Sequence, residues 1–216
     1  MRKMKVTAIA GSLAGIALFA SVAGAALIKG TSGADRLEGT SSADLIRAFA
    51  GNDQIDAGDG PDRAGGGKDN DIINGGGGND NLFGGLGDDA VNGDDGNDRV
   101  HGGSDNDTVN GGAGNDRAGG GKGDDTVNGG DGNDSLFGGW GKDAVYGGDG
   151  NDRLHALAAD GMDDLLDCGP GQDVAFVRAS EKNSTTLNDC EKVKYTREPT
   201  ADQRNGENAD TDRQAE

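Results

Sequence analysis

Between residues 30 and 155, one apolar residue recurs every nine positions, and each lies between two variable, mostly polar residues. A lone aliphatic side chain with outward neighbours predicts a very short β-strand, because successive side chains of a strand point to opposite faces. The six residues between these triplets are mainly Gly, Asn and Asp, which favour turns because they accept positive φ. The pattern therefore predicts a coil with two short strands in every eighteen residues.

This stretch divides into fourteen consecutive nonapeptides without a gap, with Asp at the sixth position of all fourteen and Gly at the fourth position of eleven. The eighth position is always apolar, and its residues are the predicted core: Leu37, Ile46, Ile55, Ala64, Ile73, Leu82, Val91, Val100, Val109, Ala118, Val127, Leu136, Val145 and Leu154. A fixed period of this length is typical of a solenoid. Seven coils stacked at about 4.8 Å predict a rod roughly 34 Å long.

The predicted core is thin, since one aliphatic residue in nine buries too little apolar surface to offset the entropy of ordering the chain. The carboxylates also repel one another, because the formal net charge is −19 at pH 7. Loops of Asp carboxylates and Gly carbonyls suit a hard cation with oxygen ligands, which favours Ca²⁺ over Zn²⁺ and over the more demanding Mg²⁺. We therefore expect calcium binding to be coupled to folding.

The middle repeats, such as GGAGNDRAG from Gly111 and GGDGNDSLF from Gly129, follow the pattern G-G-x-G-x-D-x-U-x, in which U is apolar. This pattern resembles the RTX calcium-binding nonapeptide of haemolysin-type secreted bacterial proteins. The resemblance implies an all-β fold, a parallel β-roll or right-handed β-solenoid with two nonapeptides per coil. It also implies that calcium ions lie between loops of the same kind on successive coils.

The candidate calcium ligands are sixth-position Asp side chains, with Gly carbonyls completing each shell. Eight lie in complete loops, namely Asp80, Asp89, Asp98, Asp116, Asp125, Asp134, Asp143 and Asp152. Four lie in less perfect loops, namely Asp53, Asp62, Asp71 and Asp107. The first repeats are degenerate, with Thr31 and Thr40 in place of the second Gly, so we expect weak or absent metal binding there.

Residues 1–25 have the features of an export signal. The basic residues Arg2, Lys3 and Lys5 precede an apolar run that ends at Ala23-Gly24-Ala25, a signal-peptidase pattern. A membrane anchor is disfavoured because the run is short and rich in small residues. The sequence therefore predicts a secreted chain that begins at residue 26 and carries a net charge of about −22, once the three basic residues are removed. The RTX family usually leaves the cell through an exporter that reads a C-terminal signal, and this chain departs from that pattern.

The roll is assigned to residues 26–155, because the nine-residue register breaks after residue 155. Residues 156–196 are predicted to form a capping coil and a β-hairpin, whose strands are Val174–Arg178 and Lys192–Tyr195. This segment resembles the C-terminal cap of secreted RTX-repeat proteins. We expect it to close the open end of the roll.

Cys168 and Cys190 both lie in the cap, and an isolated pair in an exported chain predicts one disulfide. Residues 197–216 are polar, lack apolar periodicity and are predicted to be disordered. His101 and His155 lie at outward ninth positions, three coils apart. They are too distant to share a metal ion and are expected on the solvated surface.

The preferred function is a secreted, calcium-stabilised extracellular structural or surface module. An adhesion or partner-binding module, with a cell-surface polymer or protein as its partner, is the alternative. An enzyme is disfavoured because no HExxH or GxSxG motif is present. The negative charge disfavours nucleic acid as a partner, and no second apolar run predicts stable membrane insertion. A disordered linker fits the mean hydropathy of −0.68 but does not require the strict register of Asp and apolar residues.

Overall fold

The computed structural model describes residues 17–19, 24–156, 158 and 160–196. The described residues contain twenty β-strands and one 3₁₀ turn, Ala179–Glu181. The strands are β1 (Ala17–Phe19), β2 (Leu27–Lys29), β3 (Arg36–Thr40), β4 (Leu45–Ala50), β5 (Gln54–Gly58), β6 (Arg63–Lys68), β7 (Ile72–Asn74), β8 (Asn81–Leu86), β9 (Ala90–Asp95), β10 (Arg99–Ser104), β11 (Thr108–Ala113), β12 (Arg117–Lys122), β13 (Thr126–Asp131), β14 (Ser135–Trp140), β15 (Ala144–Asp149), β16 (Arg153–Ala156), β17 (Leu165–Asp167), β18 (Val174–Arg178), β19 (Thr186–Asn188) and β20 (Lys192–Thr196).

The strands alternate between two ten-stranded parallel sheets, each stacked in sequence order. We call the sheet of even-numbered strands sheet A and the sheet of odd-numbered strands sheet B. Through most of the roll, paired residues are eighteen apart, as in Val109 and Val127 of β11 and β13. Two nonapeptides therefore make one coil, which confirms the predicted parallel β-solenoid.

Most strands of the roll are six residues long, so the prediction of three-residue strands and six-residue turns was wrong. In β11, Val109 and then Gly111 face the interior, which extends the strand through the first three positions of the next nonapeptide. A Cβ on Gly111 would lie 2.5 Å from the carbonyl oxygen of Gly129, one coil further on. Because glycine has no Cβ, the strand can continue through this inward-facing position without a clash with the next coil. Only three residues then remain for each turn.

The core is a file of eighth-position side chains contributed alternately by the two sheets. All fourteen predicted core residues are buried, each at most 2% exposed. Ile28 extends this file towards the N-terminal end, and Leu166 and Ala175 extend it into the cap. The predicted core is therefore confirmed, and it continues beyond the fourteen repeats at both ends.

The cap does not contain the predicted β-hairpin. A hairpin pairs antiparallel strands, whereas β18 and β20 pair in parallel in sheet A. The polar stretch between them contains β19, which adds to β17 in sheet B, and its Leu187 packs against the core. The cap thus adds a further coil because an inward apolar residue persists there. The predicted disulfide is confirmed, since Cys168 and Cys190 are bonded across two successive coils.

The predicted export signal falls largely outside the described residues. Within residues 1–25, the structure describes β1, which pairs with β3 in sheet B, and residues 24 and 25. The predicted tail, residues 197–216, lies wholly outside the described part of the chain. No helix long and apolar enough to cross a membrane occurs among the described residues.

Candidate calcium-binding loops

Short turns join the two sheets along two long edges of the roll, and each turn ends at a sixth-position Asp. On the first edge the chain passes from sheet A to sheet B, and on the second edge it returns to sheet A. The first edge carries Asp35, Asp53, Asp71, Asp89, Asp107, Asp125 and Asp143. The second edge carries Asp44, Asp62, Asp80, Asp98, Asp116, Asp134 and Asp152.

From Asp44 onwards, one carboxylate oxygen of each repeat Asp belongs to a ladder between coils. The Oδ1 atom of Asp116 accepts the backbone N–H of Asp98, one coil earlier, at 2.8 Å. On the first edge, the Oδ1 atom of Asp125 accepts the backbone N–H of Asp107 at 2.8 Å. These carboxylates are buried, so each one ties two coils together from inside its edge.

The other carboxylate oxygen, Oδ2, is buried without a hydrogen-bond partner in thirteen of the described Asp residues. They are Asp53, Asp62, Asp71, Asp80, Asp89, Asp98, Asp107, Asp116, Asp125, Asp134, Asp143, Asp152 and Asp173. The set includes all twelve candidate ligands, arranged in two rows along the edges. A buried carboxylate oxygen without a partner is costly, so each one marks a place where a cation would be stabilised.

Burial raises the pKa of these carboxyl groups, because it removes water from the charged form. The pKa of Asp107 rises to about 8, through burial first and then through the negative charges of Asp125 and Asp89. Burial likewise raises the pKa of Asp98 to about 7 and raises that of Asp116. The loops therefore resist holding negative charge at neutral pH unless a cation compensates it.

Glycines shape the surroundings of the orphaned oxygens. A Cβ on first-position Gly111 would lie 2.6 Å from the Oδ2 atom of Asp116. Gly112 and Gly114 have φ of +113° and +138°, a conformation that glycine adopts without strain. Carboxylate and main-chain oxygens are the donor types that Ca²⁺ takes, so the residues present fit that ion. No three His, Cys, Asp or Glu side chains of the described residues lie close enough together to hold a metal ion.

The family profile of the RTX calcium-binding nonapeptide repeat matches the chain four times, at residues 29–64, 66–91, 83–118 and 119–154. Together these matches span more than half of the chain. This chain belongs to the RTX calcium-binding nonapeptide repeat family. RTX nonapeptide repeats bind Ca²⁺, and the oxygen donors along the two edges fit that ion. The role of each individual Asp as a ligand stays a prediction.

No curated protein matches this RTX chain. Among solved structures, it is similar to the crystal structure of a hyperactive, Ca²⁺-dependent, β-helical antifreeze protein from an Antarctic bacterium. The two are 26% identical with a TM-score of 0.42, and the alignment covers 85% of this chain. This chain spans 65% of the length of that antifreeze protein.

The two Thr-containing RTX loops differ from those that follow. Thr31 donates its backbone N–H and its hydroxyl to the Oδ2 atom of Asp35, at 2.6 and 3.0 Å. Thr40 donates the same two groups to the Oδ2 atom of Asp44, at 2.6 and 2.9 Å. A threonine therefore occupies the oxygen that later loops leave without a partner. This geometry supports the expectation of weak or absent metal binding there.

Two carboxylates of the cap extend the ladder beyond the fourteen repeats. From the sequence, Asp173 either takes the metal position of a final coil or simply ends a turn. In the structure its Oδ1 atom accepts the N–H of Asp152 at 2.7 Å and its Oδ2 atom is buried without a partner. Glu191 then ends the ladder by accepting the N–H of Asp173 at 2.7 Å. The run Gly171-Gln172-Asp173 keeps the G-x-D signal and could have identified Asp173. Glu191 has no such signal, because it replaces Asp and the inward residues on either side of it, Leu187 and Val193, are six rather than nine positions apart.

The two histidines are outward, as expected, but are not simply solvated. His155 stacks between Phe137 and Phe176, with ring centroids 4.4 and 4.6 Å away. His101 meets Phe83 edge to face. Burial and nearby arginines lower the pKa of His155 to about 4, so its ring is neutral at pH 7. The ninth positions of sheet A therefore carry an aromatic ladder in two parts, Phe83–His101 and Phe137–His155–Phe176, interrupted at Gly119.

Proposed function

We propose that this RTX protein is an exported roll that folds when its loops bind Ca²⁺ and that serves as an extracellular structural or surface module. The row of orphaned Oδ2 atoms along each edge is the observation that carries the proposal. Each atom belongs to a carboxylate that the ladder between coils fixes in the folded roll, so folding and ion binding would bring these oxygens into place together. Oxygens fixed in this way favour a bound ion over random charge screening.

The proposed ligands are the twelve repeat aspartates from Asp53 to Asp152, with Asp173 added at the cap. Each Oδ2 atom would bind the cation together with main-chain oxygens of the same edge. Bound Ca²⁺ would supply the positive charge that offsets the repulsion between carboxylates on successive coils. Because every coil contacts only its neighbours, binding at one level favours order at the next, and we expect a cooperative transition.

The test is far-UV circular dichroism of the exported chain during calcium titration, with magnesium as the matched control. We expect a coil-to-strand transition with calcium and none with magnesium at equal concentration. A chain that is already fully folded in calcium-depleted buffer would refute coupling between calcium and folding. A chain that stays unfolded with both ions would refute the roll as a calcium-dependent structure.

Export is a separate part of the proposal, supported by the basic, apolar and small-residue pattern of residues 1–25. Mass spectrometry of protein recovered from the culture medium tests it, with Ala26 as the expected first residue. β1 lies within the segment that cleavage would remove, so the exported chain would begin its sheet B with β3. A protein recovered only from cells, with its first 25 residues intact, would refute export.

The RTX roll is typically a non-catalytic fold, and we propose that this chain acts by binding alone. Adhesion to a surface polymer is the second candidate function, and it is favoured by the exposed cations of sheet A. Calcium-dependent retention of the folded protein on an isolated cell-surface fraction tests it. Retention that survives calcium removal would count against a role for the roll.

A further inference from the structure

Charge is divided between the two faces of the roll. The strands of sheet A contain eleven Lys or Arg residues and no Asp or Glu, whereas those of sheet B contain seven Asp or Glu residues and one Arg. That arginine, Arg36, already pairs with Glu38 at 3.2 Å. In a strongly acidic chain, a face with only positive strand charges is a specific feature of the sequence.

Arginine and aspartate lie in pairs across the second edge. Asp59 and Arg63 flank one turn, Asp95 and Arg99 a second, and Asp149 and Arg153 a third, and all six side chains are exposed. The aspartate of each pair lies on the sheet B side and the arginine on the sheet A side, at the same coil level. Among the described residues, no carboxylate forms a salt bridge with Arg99 or Arg153.

We propose that calcium-loaded copies of this chain stack face to face, with sheet A of one copy on sheet B of the next. A simple translation along the sheet normal keeps both the coil level and the edge. It therefore places the three arginines of one copy above the three aspartates of its neighbour. Because the two contacting faces differ, the interface is heterologous and the assembly is open.

The first edge is compatible with the same translation. There, Leu86 and Trp140 end strands of sheet A, and both are about half exposed. The turns that follow them lead to Ala90 and Ala144 at the start of sheet B strands. In a translated stack each large apolar side chain lies over an alanine, which leaves room for it and buries apolar surface.

The face has the area that a stable contact needs. Nine coils of the exported chain at about 4.8 Å, each about six residues wide at about 3.3 Å, give roughly 850 Å². A standard interface buries about 800 Å² on each partner. The stacking also requires bound calcium, and in this it rests on the proposed function. Bound cations reduce the net negative charge that otherwise keeps the copies apart.

A second copy fits this face better than an acidic polysaccharide, because the chain itself carries the complementary surface at matching positions. The aromatic ladder is a poor platform for a flat ligand. The ring faces of Phe137 and Phe176 pack on His155, and Arg117 lies over Phe137 at 4.4 Å. The groups exposed for recognition are thus the three arginines of the second edge. They lie at the same coil levels as the three aspartates with which they are paired.

Sedimentation velocity of the calcium-loaded protein tests the inference at several concentrations and two ionic strengths. The sheet A variant is R99D/R153D, the sheet B variant is D95R/D149R, and the fourfold variant combines them with wild-type composition and net charge. We expect the wild type to associate at low salt and to dissociate at high salt. Each double variant alone should associate at least about tenfold more weakly, and the fourfold variant should recover association.

Calcium-dependent circular dichroism of each variant separates folding from stacking. A wild type that folds with calcium yet stays monomeric at every concentration would overturn the stacking and leave the proposed function intact. Association that is equally strong in the charge-reversal variants would also overturn the stacking. Monomers that bind polygalacturonate through Arg99 and Arg153 would replace the second copy with an acidic polysaccharide. Where a charge reversal prevents folding, the charge-neutralising variants R99Q/R153Q and D95N/D149N take the place of the reversal variants in the same assay.

Discussion

The first two loops of the roll and those that follow use the same aspartate differently. At Asp35 and Asp44 a threonine donates an N–H and a hydroxyl to Oδ2. From Asp53 to Asp152 the same oxygen is buried without a partner. The first two loops are thus closed by a neutral donor within the chain, whereas the later loops leave an oxygen that we propose a cation binds.

The second position of the repeat decides between the two. At Gly112 the backbone φ is +113°, whereas neither Thr31 nor Thr40 has a positive φ. A threonine without positive φ directs its N–H and hydroxyl to the carboxylate. A glycine with positive φ leaves that carboxylate open. We therefore expect the N-terminal coils to be a calcium-independent end from which the roll orders.

Acidification of the calcium-free chain should have the largest effect, since it acts together on all the open loops, in which the Asp Oδ2 atom has no hydrogen-bond partner. Burial raises the pKa of Asp53 to about 6 and that of Asp107 to about 8, far above the unfolded value of about 3.9. The folded chain thus binds more protons, and its stability is present at acid pH and lost as pH rises through this range. We expect circular dichroism in calcium-free buffer to show more strand at pH 5 than at pH 8.

The same linkage gives a control in calcium. Protons compete with the cation for the open carboxylates, so calcium affinity should rise from pH 5 to pH 8. A calcium-free chain that gains strand as the pH increases would contradict the assignment of the raised pKa values to the open loops. It would also mean that the later loops need no external compensation.

The fold was predictable wherever the period of nine held. The inward residue of each repeat and the recurrence of Asp on successive coils followed from register alone, because a coil of eighteen residues returns each position to the same place. The extension of strands through Gly111 was not predictable from propensity, since glycine favours turns. The pairing of β18 with β20 was hidden by the polar stretch around Leu187, where one apolar residue suffices to continue a coil.

The sequence predicted which residues form the candidate site, but not which carboxylate oxygen of each residue is left without a hydrogen bond. The period identified Asp116 and its equivalents, and the degenerate repeats identified Thr31 and Thr40 as exceptions. Which carboxylate oxygen is held in the ladder and which is open depends on contacts eighteen residues away. That tertiary information is absent from any single nonapeptide, and so is the ladder that ends at Glu191.

Substitution of a single aspartate is expected to have an intermediate effect. Asp116→Ala removes an open oxygen and the acceptor of the Asp98 N–H, so we expect at least one fewer calcium ion per chain. We also expect a loss of about 2 kcal/mol in stability with calcium, or roughly 4–8 °C in Tm. Isothermal titration calorimetry and thermal unfolding measure the two effects.

Two controls accompany this substitution. Asp35→Ala removes a carboxylate that a threonine already satisfies, so it should lower stability without changing the number of calcium ions. His101→Ala changes an outward ring and should leave the calcium titration unaltered. Equal losses of calcium in Asp116→Ala and Asp35→Ala would mean that the threonine loops bind the ion as well.

The smallest effect is expected from Thr40→Val, which removes one hydroxyl and nearly keeps the shape of the side chain. The hydroxyl of Thr40 reaches the Oδ2 atom of Asp44 at 2.9 Å, while the backbone N–H bond of 2.6 Å would remain. Loss of one hydrogen bond to a charged acceptor should cost about 1.5 kcal/mol. Thr126→Val at an exposed strand position is the matched control and should change stability little. Thermal unfolding without calcium at pH 5 should show the loss, since the hydroxyl acts where no ion is needed. A Thr40→Val variant as stable as Thr126→Val would show that the backbone N–H alone closes the loop, and the difference between the two kinds of loop would then lie in the backbone conformation of the second position.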